Sequence, residues 1–144
     1  MVNLPMVKTE VSTRVVALLG HRQTSRGMEL LEFRTRCVRR YEIHELVTTT
    51  DPTGGLANAR AGDRIDRVGF LGFAEVTAGG VIERGDAVSW RGRVLGRVVG
   101  FDGCHHPNHY NILIHVDELS TGHDLGLGLG DALTFSGPAE SHGS

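Results

Sequence analysis

The sequence predicts an all-β protein with short strands, tight glycine turns and little helix. The chain holds 20 glycines but only 4 prolines, and the glycines recur at short intervals, especially after Gly54. Short segments rich in Val, Ile, Leu, Phe and Thr lie between them, which is typical of strands joined by tight turns. No long window repeats apolar residues every three to four positions between capping residues, so few helices are expected. We therefore predict a single small β-barrel.

The strands are placed where apolar and polar side chains alternate. Residues 11–19 and 28–38 flank a polar turn at 21–27, and this pattern predicts a hairpin. The remaining predicted strands cover residues 41–48, 67–77, 87–90, 94–101, 110–116 and 132–135. Residues 49–62 contain Asp51-Pro52 and Gly54-Gly55, which predict a long loop. Loops of that length in a small domain are often functional.

Length and composition favour one domain. The 144 residues divide into an expected N-terminal extension over residues 1–10, a β-barrel domain over 11–136 and a disordered polar tail over 137–144. The longest purely apolar run covers only residues 15–19, which is far too short to cross a bilayer. Because the first residues contain no apolar core of the secretory type, we expect a soluble, cytoplasmic protein without a membrane partner.

The charge balance argues against a nucleic-acid partner. Lys and Arg number 15 against 17 Asp and Glu, for a formal net charge of -2, whereas nucleic-acid-binding domains are usually basic. Arginines are nevertheless crowded at positions 34, 36, 39 and 40. This stretch is either a solvated strand face or a positive rim that attracts an anionic small molecule. Arg34 and Arg36 are the candidate anion-binding residues, since arginine grips carboxylate or phosphate in a bidentate manner.

Residues 101–111 carry most of the chemically reactive side chains. The segment contains three histidines, one thiol, one carboxylate, two amides and a phenol. Its pairs Asp102-Gly103 and Pro107-Asn108 are typical of turns, so we predict a loop between two strands. In the following strand, alternation places His109, Asn111 and His115 on a polar face opposite an apolar one. We expect that polar face to line a cleft or to meet solvent.

General acid–base chemistry is the first of four interpretations of this segment. Histidine changes its protonation near neutral pH, and a neighbouring carboxylate can fix its orientation. His105 and His109 would exchange protons with a substrate, while Asp102 orients one of the two rings. The candidate substrate-binding residues of the segment are Asn108, Tyr110 and Asn111.

The other interpretations use the same residues differently. A Zn or Fe site would take Cys104, His106 (or His105) and His109 as ligands. Two cysteines are too few for a disulfide framework, so free thiols are expected. In a third interpretation, Cys104 is a thiolate nucleophile activated by a nearby histidine. In the structural interpretation, side-chain hydrogen bonds hold the turn and the histidines are solvated.

Several short motifs follow the order found in a known family. They are Tyr41-x-Ile43-His44, Gly85-Asp86-Ala87-Val88-Ser89, Val98-Val99-Gly100 and Gly130-Asp131-Ala132-Leu133-Thr134-Phe135. Through these motifs, residues 28–136 resemble the glucitol/sorbitol-specific IIA component of the bacterial sugar phosphotransferase system. The resemblance implies a closed β-barrel and places His44 near a functional site, because that family has its phosphorylatable histidine region after the tyrosine. The 101–111 segment is also similar to uncharacterised bacterial proteins.

These observations together predict an enzyme. We expect a lyase, isomerase or hydrolase that transfers protons on a small polar, anionic metabolite, with His44 facing the same cavity as the loop. The sequence requires no cofactor for this reaction. The alternatives are a phosphocarrier or other non-catalytic ligand-binding barrel, and a Zn or Fe metalloenzyme built on the same loop. Exposed strand edges also allow a homodimer or other homo-oligomer.

Overall fold

The computed structural model of the chain describes residues 6–137. The first residues of the predicted N-terminal extension and positions 138–144 of the predicted tail lie outside the described residues. Strands make up 48% of the described residues and helix 5%, which confirms the all-β prediction. In this part of the chain, no helix has the length and hydropathy needed to cross a membrane.

The described part of the chain forms twelve strands, a turn of 3₁₀ helix and one short α-helix. The strands are β1 Val11–Leu18, β2 Arg22–Gln23, β3 Met28–Glu29, β4 Thr35–Val38, β5 Ile43–Thr49, β6 Arg64–Ile65, β7 Val68–Ala78, β8 Gly80–Glu83, β9 Ala87–Trp90, β10 Arg93–Asp102, β11 Asn111–His115 and β12 Ala132–Ser136. The 3₁₀ helix covers Leu56–Asn58, and α1 covers Gly122–Leu125.

Seven strands close into a ring. The order is β1-β12-β9-β10-β11-β5-β7, with β2 beyond β7, and β7 also pairs with β1. β5 and β11 run parallel, and their register pairs Glu45 with Asn111. The strands are not spread evenly round one axis. The predicted small β-barrel is therefore not confirmed, although the strands close into a ring.

Closure of the ring depends on a glycine in β7. This strand of 11 residues pairs with β1, β5 and β2. A Cβ at Gly72 would lie 2.1 Å from the Ala17 oxygen of β1, and φ at Gly72 is +146°. Both main ladders of β7 shift register close to this point. Glycine is required here because only a residue without a side chain allows so close an approach of two strands.

Two buried apolar clusters cover both faces of β5 and β11. Leu46 and Ile112 belong to the first cluster, whereas the adjacent Val47 and Leu113 belong to the second. Side chains of the β3 and β6 segments, such as Met28, Leu30 and Ile65, complete the second cluster. The prediction that β11 presents an open polar face is therefore wrong, since even Asn111 is 0% exposed.

The predicted hairpin of residues 11–19 and 28–38 does not form. β1 pairs with β12 and β7, and residues 28–38 are split into β3 and β4, which pair with β6 and β8. Between these two strands the backbone bonds to other segments, because Leu30 N donates to the Asp63 oxygen and Leu31 N to the Phe101 oxygen. The sequence analysis does not predict β8, because Gly79-Gly80 at its start is typical of a turn.

A buried ion pair anchors the segment that precedes β1. Lys8 Nζ lies 2.6 Å from Asp86 Oδ2, and the two side chains are 5% and 0% exposed. Lys8 also donates to the Val81 oxygen, and Asp86 accepts from the backbone N–H of Glu83. The chain from Lys8 onward is thus part of the folded unit, although the sequence predicts an extension up to residue 10.

Candidate functional site

The loop between β10 and β11 is held by the buried carboxylate of Asp102. This side chain, which is 4% exposed, accepts hydrogen bonds from Cys104 N at 3.0 Å, Asn111 Nδ2 at 3.0 Å and Glu29 N at 2.9 Å. Burial on its own would raise the pKa of Asp102, but hydrogen bonds from Cys104, Glu29 and Asn111 outweigh burial and lower this pKa. Among the described residues Asp102 bonds no histidine. Its role is therefore to hold the fold of the loop, and the prediction that it orients the ring of His105 or His109 is wrong.

We predict that Asp102 contributes to the acid sensitivity of the fold. The pKa of Asp102 lies below its ordinary value of 3.8 in the folded protein. Its contribution to stability is therefore fully present above pH 3.8 and is lost as the pH falls through the folded-state pKa. Asp102→Asn should lower the urea midpoint at pH 7 and flatten its further fall below about pH 4. Asp117→Asn, at an exposed carboxylate, serves as the control. A urea midpoint that falls below pH 4 as steeply in Asp102→Asn as in the wild type would contradict this role of Asp102.

His109 lies buried at the end of this loop against β5. Its Nδ1 lies 3.0 Å from Asn108 Nδ2, and its Nε2 lies 3.4 Å from Oε1 of Glu45, which is 7% exposed. Phe73 contacts the ring edge-on, with 5.2 Å between ring centroids. Because an amide nitrogen can only donate, Nδ1 accepts and Nε2 carries the proton that faces Glu45. The carboxylate thus orients the ring and is placed to stabilise its protonated form.

His44 has a similar arrangement with a different carboxylate. Its Nδ1 accepts from the backbone N–H of Tyr110 at 3.2 Å, and its Nε2 lies 3.1 Å from Glu42 Oε1. Because Nδ1 accepts the backbone hydrogen bond, the ring proton that faces Glu42 lies on Nε2. Both ring nitrogens are therefore engaged, whereas a phosphocarrier histidine needs one nitrogen free for the phosphoryl group.

His44 and His109 line one cavity of about 260 Å³, as the sequence predicts for His44. We call it the histidine cavity; its lining residues are Arg36, Glu42, Ile43, His44, His106, Pro107, Asn108, His109 and Tyr110. The Arg36 guanidinium lies 3.8 Å from the centroid of the Tyr110 ring, which keeps a positive charge at the wall. His105 is not in this lining and instead stacks on His109, with 5.0 Å between centroids.

Two predicted substrate-binding residues lie elsewhere. Asn111 is buried beneath the loop and donates to Asp102 and Cys104, while its Oδ1 has no hydrogen-bond partner among the described residues. Arg34 precedes β4 and lines a different cavity from Arg36.

The predicted metal ligands are not brought together. Cys104 Sγ contacts Asn111 Nδ2 and Arg26 Nη2, and the His106 ring packs against Tyr110 with 5.1 Å between centroids. Within residues 6–137 the one group with metal-ligand spacing is Glu45, His105 and His109, whose ligand atoms lie within 4.8 Å of one another. His109, and His105 as the predicted alternative to His106, belong to both the predicted and the observed sets, whereas Cys104 does not.

The structure also argues against Cys104 as a nucleophile. Burial raises the pKa of the Cys104 thiol, the hydrogen bond and negative charge of Asp102 raise it further, and the nearby Arg26 only partly opposes them. The reactive form of cysteine is the thiolate. A raised pKa therefore leaves Cys104 mostly as an unreactive thiol at neutral pH.

A protein-family model matches residues 5–136, which is most of the chain. The chain belongs to DUF6917, a family of unknown function. No curated protein and no solved structure is significantly similar to it. The resemblance to the glucitol/sorbitol-specific IIA component finds no support, whereas the similarity to an uncharacterised family is confirmed.

The sequence analysis of this DUF6917 chain misses two carboxylates of the candidate site. Glu42 immediately precedes β5 and Glu45 lies on it, and each contacts one histidine of the cavity. A signal was present for Glu45, because it precedes the buried run of residues 46–49. A carboxylate in a buried strand needs a partner, and histidines are the partners that the adjacent loop supplies.

Proposed function

We propose that this DUF6917 protein is an enzyme that transfers protons on a small anionic metabolite bound in the histidine cavity. The observation that carries the proposal is the His109–Glu45 pair, a buried carboxylate behind a histidine whose other side faces a cavity. A histidine held by a carboxylate at one nitrogen is the usual arrangement of a general base. This class covers isomerases, lyases and hydrolases.

Each wall of the cavity supports one part of this chemistry. Asn108 is exposed and its amide covers His109 Nδ1, so a rotation of this side chain frees Nδ1 to accept a proton from the substrate. Glu45 then stabilises the charged ring from Nε2. His44 Nε2–H bonds Glu42 in this structure; a substrate oxygen that displaces Glu42 would accept this hydrogen bond, as from an electrophilic histidine in other enzymes.

Arg36 supplies the preference for an anion. Its guanidinium lies over Tyr110 and lines the same cavity as both histidines. Arginine binds carboxylate or phosphate through two parallel hydrogen bonds. An anion held there would place the neighbouring carbon between His44 and His109, where a proton can be removed at one atom and returned at another.

The proposal is tested by following proton transfer directly. The chelator-treated protein is incubated in D₂O with 2-oxo acids, 2-hydroxy acids, sugar phosphates and phosphate or carboxylate esters, and ¹H NMR records loss of C–H signals or new products. We expect at least one class to react and Arg36→Gln to raise KM for it. A protein that leaves all four classes unchanged would be incompatible with this function.

A metalloenzyme is the second candidate, and the Glu45, His105 and His109 group favours it. The distance of 3.4 Å between His109 Nε2 and Glu45 Oε1 exceeds the roughly 2.7–2.9 Å of a strong charge-assisted hydrogen bond. Tetrahedral Zn with bonds of about 2.0–2.1 Å holds its ligand atoms about 3.4 Å apart. Two histidines with one carboxylate are also the ligands of many non-haem Fe(II) sites.

If this second candidate is right, the protein binds one equivalent of Zn²⁺ or Fe²⁺. Titration calorimetry with ZnCl₂ should then show one site, and His105→Gln should weaken it by roughly tenfold or more, because a ligand is lost. His123→Gln, outside the cavity, should leave the affinity unchanged. Equal affinity in the two variants would exclude the site. His105 also separates the two functions, since it lies outside the cavity lining and its loss should hardly change metal-free proton transfer.

A further inference from the structure

A second cavity lies away from the histidine cavity and carries three arginines. It has a volume of about 600 Å³, within the range of small-molecule sites. We call it the arginine cavity; its charged lining residues are Arg34, Arg60, Arg84 and Glu32. It shares no lining residue with the histidine cavity. The two cavities are therefore separate binding surfaces.

Two of the three guanidinium groups are fixed in place by the chain itself. Arg84 Nη2 donates to the oxygens of Leu56 and Ala59, each at 2.7 Å. Arg60 Nη1 donates to the oxygens of Ala57 and Ala59 at 3.2 and 3.1 Å. These bonds use only one nitrogen of each group, so further N–H donors stay available. The groups are thus held at the wall before any ligand arrives.

Arg34 differs from the other two arginines. Its side chain is exposed and makes no hydrogen bond or ion pair with another residue of the described range 6–137. Its backbone oxygen accepts from Arg84 N at 2.8 Å, which ties its position to the same wall. A cation without a partner next to two fixed cations leaves a local excess of positive charge.

Arg84 lies close enough to Arg34 and Arg60 to be repelled by both. Burial and then the positive charges of Arg34 and Arg60 lower the pKa of Arg84, and Asp63 opposes them only in part. Asp63 is itself engaged, because its Oδ2 accepts from Arg60 N at 2.8 Å. With Glu32 as the only carboxylate in the lining, the arrangement gains stability from an anion that enters.

We propose that the arginine cavity is a binding site for a phosphate-bearing small molecule with an apolar portion. Arginine guanidinium groups bind phosphate oxygens through paired hydrogen bonds. The charge of a phosphate dianion also balances the net charge of three guanidinium groups and one carboxylate. The remaining wall is apolar and includes Leu30, Phe33, Leu56 and Val99. This wall gives room for the organic part of the ligand, which inorganic phosphate lacks.

Titration calorimetry with phenyl phosphate at low salt tests the proposal. We expect phenyl phosphate to bind one site, inorganic phosphate to bind more weakly and phenol not to bind. Arg34→Gln should weaken phenyl phosphate binding by about tenfold, the effect of one charge-assisted hydrogen bond. The charge reversal Arg34→Glu should abolish it. Arg34 is the position to change, because Arg60 and Arg84 also hold the backbone at residues 56–59.

Two matched variants make the result decisive. Arg40→Gln removes an exposed arginine outside this cavity and should leave the affinity unchanged. Arg36→Gln removes the arginine of the histidine cavity, so a loss of binding in this variant but not in Arg34→Gln would place phenyl phosphate in that cavity. Absence of binding to the wild type, equal loss in Arg34→Gln and Arg40→Gln, or loss in Arg36→Gln alone would each overturn the proposal. None of these outcomes depends on turnover at the histidine cavity.

Discussion

Lys8→Met is expected to destabilise the protein by about 3–5 kcal/mol, the cost of leaving a buried charge without its partner. Asp86 is 0% exposed, and Lys8 Nζ is its cationic partner at 2.6 Å. After the substitution, the carboxylate would keep only the hydrogen bond from Glu83 N. Met matches the length of the lysine stem, so the lost interaction is electrostatic and not a cavity.

Urea unfolding measures this effect, since the free energy of unfolding falls linearly with urea. Arg14→Met is the matched control, because the Arg14–Glu75 pair is partly exposed, with the arginine side chain 57% accessible, and such pairs contribute at most about 1 kcal/mol. The double variant Lys8→Met/Asp86→Asn should recover part of the loss, since no charge then stays buried. A loss below about 1 kcal/mol in Lys8→Met would show that the pair is not buried in solution.

Lys8 also shows why the sequence predicts some elements and misses others. Alternation over a single segment indicates a strand, and most predicted strands are found within a few residues of their expected bounds. Alternation does not indicate which strand pairs with that segment, nor which residue forms an ion pair with a single charged side chain. The hairpin of residues 11–19 and 28–38 is wrong for this reason, and the ion pair of Lys8 is missed for the same reason. Their contacts are made with Phe73, Ile65 and Asp86, which are far away in the sequence.

The candidate site follows the same pattern. The density of histidines in residues 101–111 predicts the loop, and the family resemblance, although unsupported, places His44 close to it. Glu45, the carboxylate that orients His109, lies on β5, and the parallel β5–β11 pairing brings it to the loop. Parallel strands need a long connection, here residues 50–110, so sequence spacing carries no trace of the Glu45–His109 contact.

Under the proposed function, His109→Gln should lower kcat by about 10²–10⁴, the usual contribution of general acid–base catalysis. Glutamine keeps an N–H donor near Glu45 and thereby avoids an unpaired buried carboxylate, but it cannot accept a proton. The fold should survive, which circular dichroism and the urea midpoint will verify. The rate is measured by the ¹H NMR assay on whichever anionic substrate reacts.

The pattern across neighbouring variants separates proton transfer from a structural role for His109. Glu45→Gln should lower kcat less than His109→Gln does, because it removes only the group that stabilises the charged ring. Combining the two changes should cost little more than His109→Gln alone, since residues that act as a unit are not additive. His105→Gln and His123→Gln should keep nearly the full rate in chelator-treated protein. The alternative outcome is that the chelator-treated wild type is inactive and that Zn²⁺ or Fe²⁺ restores its activity but not that of His105→Gln or His109→Gln. That outcome would assign the reaction to a metal held by Glu45, His105 and His109.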